Sequence, residues 1–323
     1  MSTKDSVLST LEKNQGKFIS GEELSNTLNV SRTAVWKAIK TLREEGYPIE
    51  AVTNRGYMMM EKSWQITEDS LRASLPGRYK NNIIHIYDAV DSTNIKARHM
   101  TLEKAEHGTV VIAKQQTKGR GRLGRNFFSP VEGLYMSIII KPDFSLEKSL
   151  LVTSAAAVAV AESIEETTGC EAMIKWVNDV YVDGKKVCGI LTEGITDLET
   201  GQIEYLVIGI GINTTVKDFP DELKATAGAV EGNSALAADI ITKTLDFTAE
   251  IDKSSFMDIY RKKSLVTGKD VTVYKGRYKI DPKDEIPGRR ARVLDIADDG
   301  GLVVLYSDGS REKLISGEIS IRL

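Results

Sequence analysis

Cysteine, histidine and long apolar runs are all scarce in this 323-residue chain. Two cysteines, Cys170 and Cys188, cannot make a disulfide framework, and no Cys/His cluster has metal-ligand spacing. The start, Met1-Ser-Thr-Lys-Asp, has no hydrophobic signal region, so no secretory leader is expected. The most apolar stretch, 150–161, is too short and too alanine-rich to span a bilayer. An excess of one charge is missing as well: 43 Lys and Arg face 46 Asp and Glu, a net of −3, which excludes a histone-like coat for nucleic acid. These absences point to a reducing, cytoplasmic protein with no membrane partner. What is present, 41% hydrophobic and 28% charged residues, excludes disorder. At about 100–200 residues per domain, the length suits two or three domains.

The first part, 1–62, reads as a compact helical unit with a hairpin. A helix over 3–14 carries Val7, Leu8 and Leu11 on one face. Ser20 and Glu23 have capping-box spacing, with Ile19 and Leu24 placed as a hydrophobic staple. That helix ends near Leu28, Asn29-Val30 turns the chain, and Ser31 caps a third helix that Gly46 stops. Val35, Ile39 and Leu42 face the core, leaving Arg32, Lys37, Lys40 and Arg43 on other faces. Two short helices joined tightly, the second basic, make a helix-turn-helix for a DNA major groove. Two strands around Asn54-Arg55-Gly56 add a wing. The DNA-facing candidates are Ser31, Arg32, Thr33, Trp36, Lys37, Lys40 and Arg55. The competing reading is a helical packing domain with a solvated charged face. Placement of charge, not its total, favours DNA.

A polar linker, 63–82, leads to a domain over 83–265. Strands are expected at 83–87, 109–114, 133–140, 174–176, 180–182, 185–192 and 204–212, and helices at 92–105, 150–168 and 233–254. Several strands follow one another across turns such as Asp183-Gly184, so the class is α+β with a mixed or antiparallel sheet. A β-rich module, 268–323, has turn signals at 298–301 and 307–309.

The segment Gln115-Gln-Thr-Lys-Gly-Arg-Gly-Arg-Leu-Gly-Arg125 is rich in arginine and glycine and contains no acid. Gly119, Gly121 and Gly124 spell the dinucleotide-binding pattern, but Asn126-Phe-Phe-Ser-Pro130 follows instead of a helix, so no helix N-terminus awaits a pyrophosphate. A Walker-type motif is missing too. What remains is a loop suited to polyanions such as a triphosphate, against the alternatives of a solvated basic loop or a DNA patch. Asp91-Ser-Thr-Asn94, Lys175-Trp-Val-Asn-Asp179, Lys185-Lys-Val-Cys-Gly-Ile-Leu-Thr-Glu193 and Gly209-Ile-Gly-Ile-Asn213 are each explicable alone as a cap, a hairpin turn, a strand-edge lysine and a close-packed strand end.

Taken in order, these five segments make nearly the whole chain resemble the biotin protein ligases. The helix-turn-helix adds similarity to the bifunctional members that repress biotin-synthesis operons. The resemblance implies a winged helix-turn-helix, a central mixed-sheet ligase domain and a C-terminal SH3-like β-barrel. It implies formation of biotinyl-5′-AMP from biotin and ATP with Mg²⁺, then transfer to a lysine of a biotin carboxyl carrier protein. By motif match, Ser92, Thr93, Asn94 and Gln116 line the ureido end of biotin, where paired donors and acceptors suit a neutral urea. Arg120, Gly121 and Arg122 wrap carboxylate and phosphates, with Gly189 beside them. Lys186 stabilises charge during adenylation. Asp179 completes the catalytic set with Lys186 and Arg122, while Arg125, Phe127 and Asn213 serve ATP and its adenine. No protein metal ligand is assigned. Two departures stand out: Val177 where the family often has Pro, and Phe127 where relatives carry Trp. The resemblance also implies a ligand-promoted homodimer on operator DNA, with the adenylate as corepressor. A lipoate-type ligase and a ligand-responsive repressor without ligase activity are the alternatives.

Overall fold

In the computed structural model, described for all residues except 1–2, 15, 45–46, 48, 53–54, 60–65, 132, 150, 198, 215, 217–218, 275–287, 316–317 and 322–323, the chain folds as two units, Met1–Gln65 and Ile66–Leu323. In the first unit α1 (Thr3–Lys13), α2 (Gly21–Leu28) and α3 (Arg32–Glu44) bury Val7, Leu11, Leu24, Val35, Ile39 and Leu42 in one core. The Ser20 hydroxyl accepts the Glu23 N–H at 3.0 Å, and Asn29, in the left-handed region at φ 53°, closes α2. The wing is an antiparallel pair, β1 (Ile49–Val52) and β2 (Gly56–Met59), whose Ile49 and Met59 join the same core. Gly56 has φ +102°, and a Cβ there would sit 2.2 Å from the Ile19 carbonyl oxygen, so only glycine fits. The expected stop at Gly46 and the wing-tip Asn54 lie outside the described residues.

The second unit is built on a seven-stranded mixed sheet in the order β3-β4-β5-β9-β8-β7-β6. Its strands are β3 (Ile84–Val90), β4 (Val110–Gln116), β5 (Gly133–Ile140), β6 (Ala172–Lys175), β7 (Asp179–Val182), β8 (Lys185–Thr196) and β9 (Ile203–Asn213). Among the described strands of this sheet only β3 and β4 pair in parallel, and helix α5 (Thr93–Leu102) connects them, as a parallel crossover requires. All eight residues of β5 are buried, so both faces of the sheet centre are covered. One face packs Ala97 of α5 against Val111, Ile139 and Val207. The other meets α7 (Leu151–Thr168): Thr153 Oγ1 lies 2.8 Å from that of Thr192, which is opposite Ile208 and one residue out of phase with the Leu191–Gly209 pair. Strand alternation therefore puts α5 and α7 on opposite sides. Short α6 (Leu146–Ser149) precedes α7, and α8 (Ser234–Ala249) and α9 (Phe256–Lys262) pack on it.

Within the stretch expected as linker, Glu68–Ser74 forms a helix, α4, and Gly77–Tyr79 a 3₁₀ turn. The Ser, Thr and Asp residues that look loop-like in sequence are capping chemistry. Thr67 and Ser70 exchange reciprocal bonds in a complete capping box, and Leu71 is fully buried. Ser70 Oγ lies 2.7 Å from Ser234 Oγ at the start of α8, and Tyr79 donates to Asp246 of α8 at 2.7 Å. The C-terminal part is a five-stranded antiparallel sheet of β10 (Asp270–Tyr274), β11 (Arg289–Ile296), β12 (Leu302–Tyr306), β13 (Arg311–Leu314) and β14 (Glu318–Ile321). Its two tight turns fall at the Asp-Gly signals, and the first reaches back: Trp176 Nε1 donates to the Gly300 carbonyl at 2.9 Å.

Truncating Leu71 to Ala removes the buried anchor of α4. Its expected cost is about 2–5 kcal/mol of stability in the Ile66–Leu323 unit, measured by urea denaturation. A change under about 0.5 kcal/mol would mean that α4 is a surface decoration.

Candidate functional site

The site lies over the central strands, where β8 and β9 expose backbone in place of side chains. Gly189 of β8 faces Gly211 of β9, and Gly209 is two residues before Gly211. A Cβ at Gly209 would stand 2.1 Å from Asn94 Oδ1, and one at Gly211 would stand 2.6 Å from the Phe127 ring. The glycines thus let α5 and the basic loop come down onto the sheet. Asn213, at the end of β9, is directed elsewhere: it is buried and its Nδ2 donates to the Gly228 carbonyl at 3.0 Å. Every other expected ligand residue lines one cavity of about 190 Å³.

Part of this cavity's wall is polar and buried. Ser92 is the N-cap residue of α5, yet its side chain makes no cap bond, so helix capping does not use up the hydroxyl. The Thr93 N–H donates to Gln116 Oε1 at 2.8 Å. Ser137 Oγ, fully buried on β5, lies 2.7 Å from Asn94 Oδ1 and 2.8 Å from Thr93 Oγ1. Asn94 Nδ2 donates to Glu193 Oε2 at 2.8 Å, and Gln116 Nε2 donates to Ser129 Oγ at 3.0 Å. Ser137, Ser129 and Glu193 were absent from the sequence-based set. The available signals were a lone hydroxyl inside Leu-Tyr-Met-Ser-Ile-Ile-Ile and a carboxylate in phase with Gly189 and Leu191.

Another part of the wall is cationic. After β4 the Gly119–Phe127 loop folds back on itself: Phe127 N–H donates to the Gly119 carbonyl at 2.9 Å, and Gly121 N–H to that of Arg125 at 2.7 Å. A single 3₁₀ turn, Arg122–Gly124, stands where a dinucleotide fold would begin a helix. Arg122 Nη1 donates to Asn178 Oδ1 at 3.2 Å, and Arg120 Nη1 lies 3.6 Å from Glu193 Oε1. Lys186 Nζ lies 2.7 Å from Asp179 Oδ1, a charge contact without hydrogen-bond alignment. The Lys175–Asp179 turn is braced despite Val177, because the Tyr260 hydroxyl donates to the Val177 carbonyl at 3.1 Å and Trp176 is held by Gly300. Asn178 is tied to Ile190 by bonds of 2.8 and 2.9 Å.

Neutral groups nearby are unsuited to nucleophilic work. Burial pushes the Cys188 thiol well above its ordinary range, and burial with the Asp179 charge pushes Tyr181 up to about 12. Among the described residues, no group of three or more His, Cys, Asp or Glu side chains is arranged to hold a metal ion. The lone carboxylate beside Lys186, Asp179, fits a cation carried in on a triphosphate, which needs one or two protein carboxylates at most.

In the first unit, Ser31, Arg32, Thr33, Trp36, Lys37, Lys40 and Arg55 are all exposed. Ser31 Oγ accepts the Ala34 N–H at 3.2 Å, so it caps α3. Arg32 pairs with Glu22 at 2.5 Å, the Lys40 ammonium lies 5.7 Å from the centre of the Trp36 ring, and the Arg55 guanidinium stacks on Phe18 at 4.2 Å. A groove between α3 and the wing is lined by Arg32, Thr33, Trp36, Val52 and Gly56. Among the described residues no helix is long and apolar enough to cross a membrane.

Known protein families and solved structures match the chain. The model of the biotin/lipoate A/B protein ligase family matches residues 87–213, an HTH domain model matches 3–58, and the biotin protein ligase C terminal domain matches 283–322. The bifunctional ligase/repressor BirA of Bacillus subtilis (strain 168) is 42% identical over 214 residues, a match that spans 65% of each chain. The protein of the same name from Bacillus spizizenii is 41% identical over 226 residues, 69% of each chain. Among solved structures, the biotin protein ligase from Aquifex aeolicus in complex with biotin and ATP superposes with a TM-score of 0.61 at 26% identity, covering 74% of this chain and 98% of that one. The chain belongs to the biotin/lipoate A/B protein ligase family, as a biotin protein ligase-type member with a helix-turn-helix domain ahead of the ligase domain.

Proposed function

We propose that the chain joins biotin to ATP, forming biotinyl-5′-AMP and pyrophosphate, and passes the biotinyl group to a lysine of a biotin carboxyl carrier protein. In its second role it represses biotin genes from operator DNA, with the adenylate as corepressor. The observation that carries the reading is that one cavity is lined both by a buried neutral group, Ser92, Thr93 and Asn94, and by the cations Arg120, Arg122 and Lys186. Biotin has the matching polarity, a neutral urea at one end and a carboxylate at the other. Ser92, Thr93, Asn94 and Gln116 take the urea. Arg120, the Gly121 backbone, Arg122 and Gly189 hold the carboxylate and phosphates.

In the first step a carboxylate oxygen of biotin bonds to the α-phosphorus and the bond to pyrophosphate breaks. Negative charge grows there, and Arg122 and Lys186 are placed to stabilise it. Mg²⁺ would neutralise the triphosphate, with Asp179 as the protein carboxylate nearest to it. Arg125 and Phe127 serve the adenine, Phe127 by stacking over less area than a Trp. Asn213 supports this end through the Gly228 segment. In the second step the carrier lysine amine attacks the acyl carbon, AMP leaves, and Asp179 accepts the amine proton. The mixed anhydride is water-labile, so the glycine loop closes over it. The C-terminal sheet is proposed as an SH3-like barrel that assists ATP or carrier binding. The repressor role requires a ligand-promoted homodimer, since two recognition helices match a two-fold operator. A cytoplasmic location follows from operator and carrier together. A lipoate-type ligase is the second reading, and the paired donors and acceptors around Asn94 favour a urea over a dithiolane.

Biotin-dependent pyrophosphate release from the wild-type chain is the deciding assay, with lipoate as the competitor acid. Arg122→Ala and Lys186→Ala are each expected to slow release by about 10²–10³-fold, the scale for losing one transition-state charge stabiliser. Arg122→Ala should also weaken retention of the adenylate and, through it, operator binding. Full ligand-dependent operator binding alongside lost retention would break the proposed coupling. On the DNA side, Lys37→Ala with Lys40→Ala is expected to reduce the slope of log K against log salt by about 2 if both contact phosphate. An unchanged slope would move the interface off this helix face.

A further inference from the structure

Glu193 stands behind the cavity wall, bonded to the lining residue Asn94. Its side chain is about four-fifths buried, and each carboxylate oxygen has a separate job. Oε2 accepts from Asn94 Nδ2 at 2.8 Å; Oε1 lies 3.6 Å from Arg98 Nη1 and 3.6 Å from Arg120 Nη1. The first contact settles which way the Asn94 amide faces. A carboxylate accepts and does not donate, and the Leu191 carbonyl, 3.2 Å from the same Nδ2, is likewise an acceptor. The Asn94 oxygen must then face Ser137, 2.7 Å away, and it takes the single Ser137 proton. The remaining short contact, 2.8 Å between the Ser137 and Thr93 hydroxyls, then has only the Thr93 proton to draw on, for which Gln116 Oε1 at 3.2 Å competes; in either arrangement the Thr93 oxygen keeps a lone pair. With its N–H given to Gln116, Thr93 is left with an oxygen lone pair to offer to a ligand N–H.

We infer that Glu193 is a positioning residue for biotin: it orients the Asn94–Ser137–Thr93 chain so that the cavity accepts a ureido N–H, and it anchors Arg120 of the basic loop. The inference rests on the biotin reading above. It adds a link between the neutral and cationic halves of the site through the two oxygens of one side chain.

The test compares wild type, Glu193→Ala and Glu193→Gln in biotin-dependent pyrophosphate release, with thermal denaturation to confirm folding. Glu193→Ala is expected to raise KM for biotin by about tenfold or more, the scale for losing a hydrogen bond to a charged group, while kcat changes by less than about threefold. Glu193→Gln, which restores an acceptor for Asn94 but not the charge, should recover much of the KM. An unchanged KM in Glu193→Ala overturns the inference, as does an equal fall in kcat for both variants. If the alanine variant does not fold, Asn94→Asp carries the test. It sets two carboxylates face to face and should raise KM, and adding Glu193→Gln should lower it again by supplying a donor. Failure of that rescue also overturns the inference. A wild-type chain that releases pyrophosphate with lipoate but not with biotin would instead sink the functional reading itself.

Discussion

The site depends on a strip of sheet without side chains. Gly189, Gly209 and Gly211 occupy adjacent positions on two paired strands, and the space that Cβ atoms would fill is taken by Asn94 and the Phe127 ring. A central strand ordinarily gains stability from packed side chains on both faces. Here that packing is interrupted at these three positions on the α5 face, whose apolar cluster lies to one side, while the opposite face packs under α7. The result is a rigid floor against which a helix start and a loop can be set at fixed heights.

Two groups of opposite character meet across this floor. The side chains of Thr93, Asn94 and Ser137 are buried and, with the half-buried Gln116, mutually bonded, so their orientations are set before any ligand arrives. The arginines and Lys186 remain partly exposed and are held by Asn178, Asp179 and Glu193. Buried neutral donors select by geometry, and exposed cations attract by charge. A substrate with a neutral head and an anionic tail meets each in the place where it is effective.

The bracing of the Lys175–Asp179 turn ties the C-terminal sheet to this site. Trp176 is held by Gly300 and the Val177 carbonyl by Tyr260 of α9, so the turn carrying Asn178 and Asp179 is fixed from two directions. A Pro at 177 would stiffen this turn through its fixed φ; with Val there, tertiary contacts provide the bracing.

Much of this was legible in the residues. The capping signals at Ser20 and Ser31, the apolar spacing of Val35, Ile39 and Leu42, and the Asp-Gly turns of the last module act within a few residues of themselves, so local physics determined those elements. The basic loop and the Gly-Ile-Gly-Ile-Asn end could be marked as chemistry because their composition is costly to place elsewhere. Other features were closed to sequence reading. Helix α4 passed as linker because capping residues and loop residues are the same types, and only burial of Leu71 against the rest of the unit distinguishes them. Ser137 and Glu193 lie on strands far from Asn94 in the chain, and no local pattern says that β5, β8 and α5 converge. Asn213 shares a segment with Gly209 and Gly211 but turns to Gly228, since the end of β9 bonds to the following segment. Local sequence decided which residues can cap, turn or carry charge; the order in which strands pair decided which of them face one another.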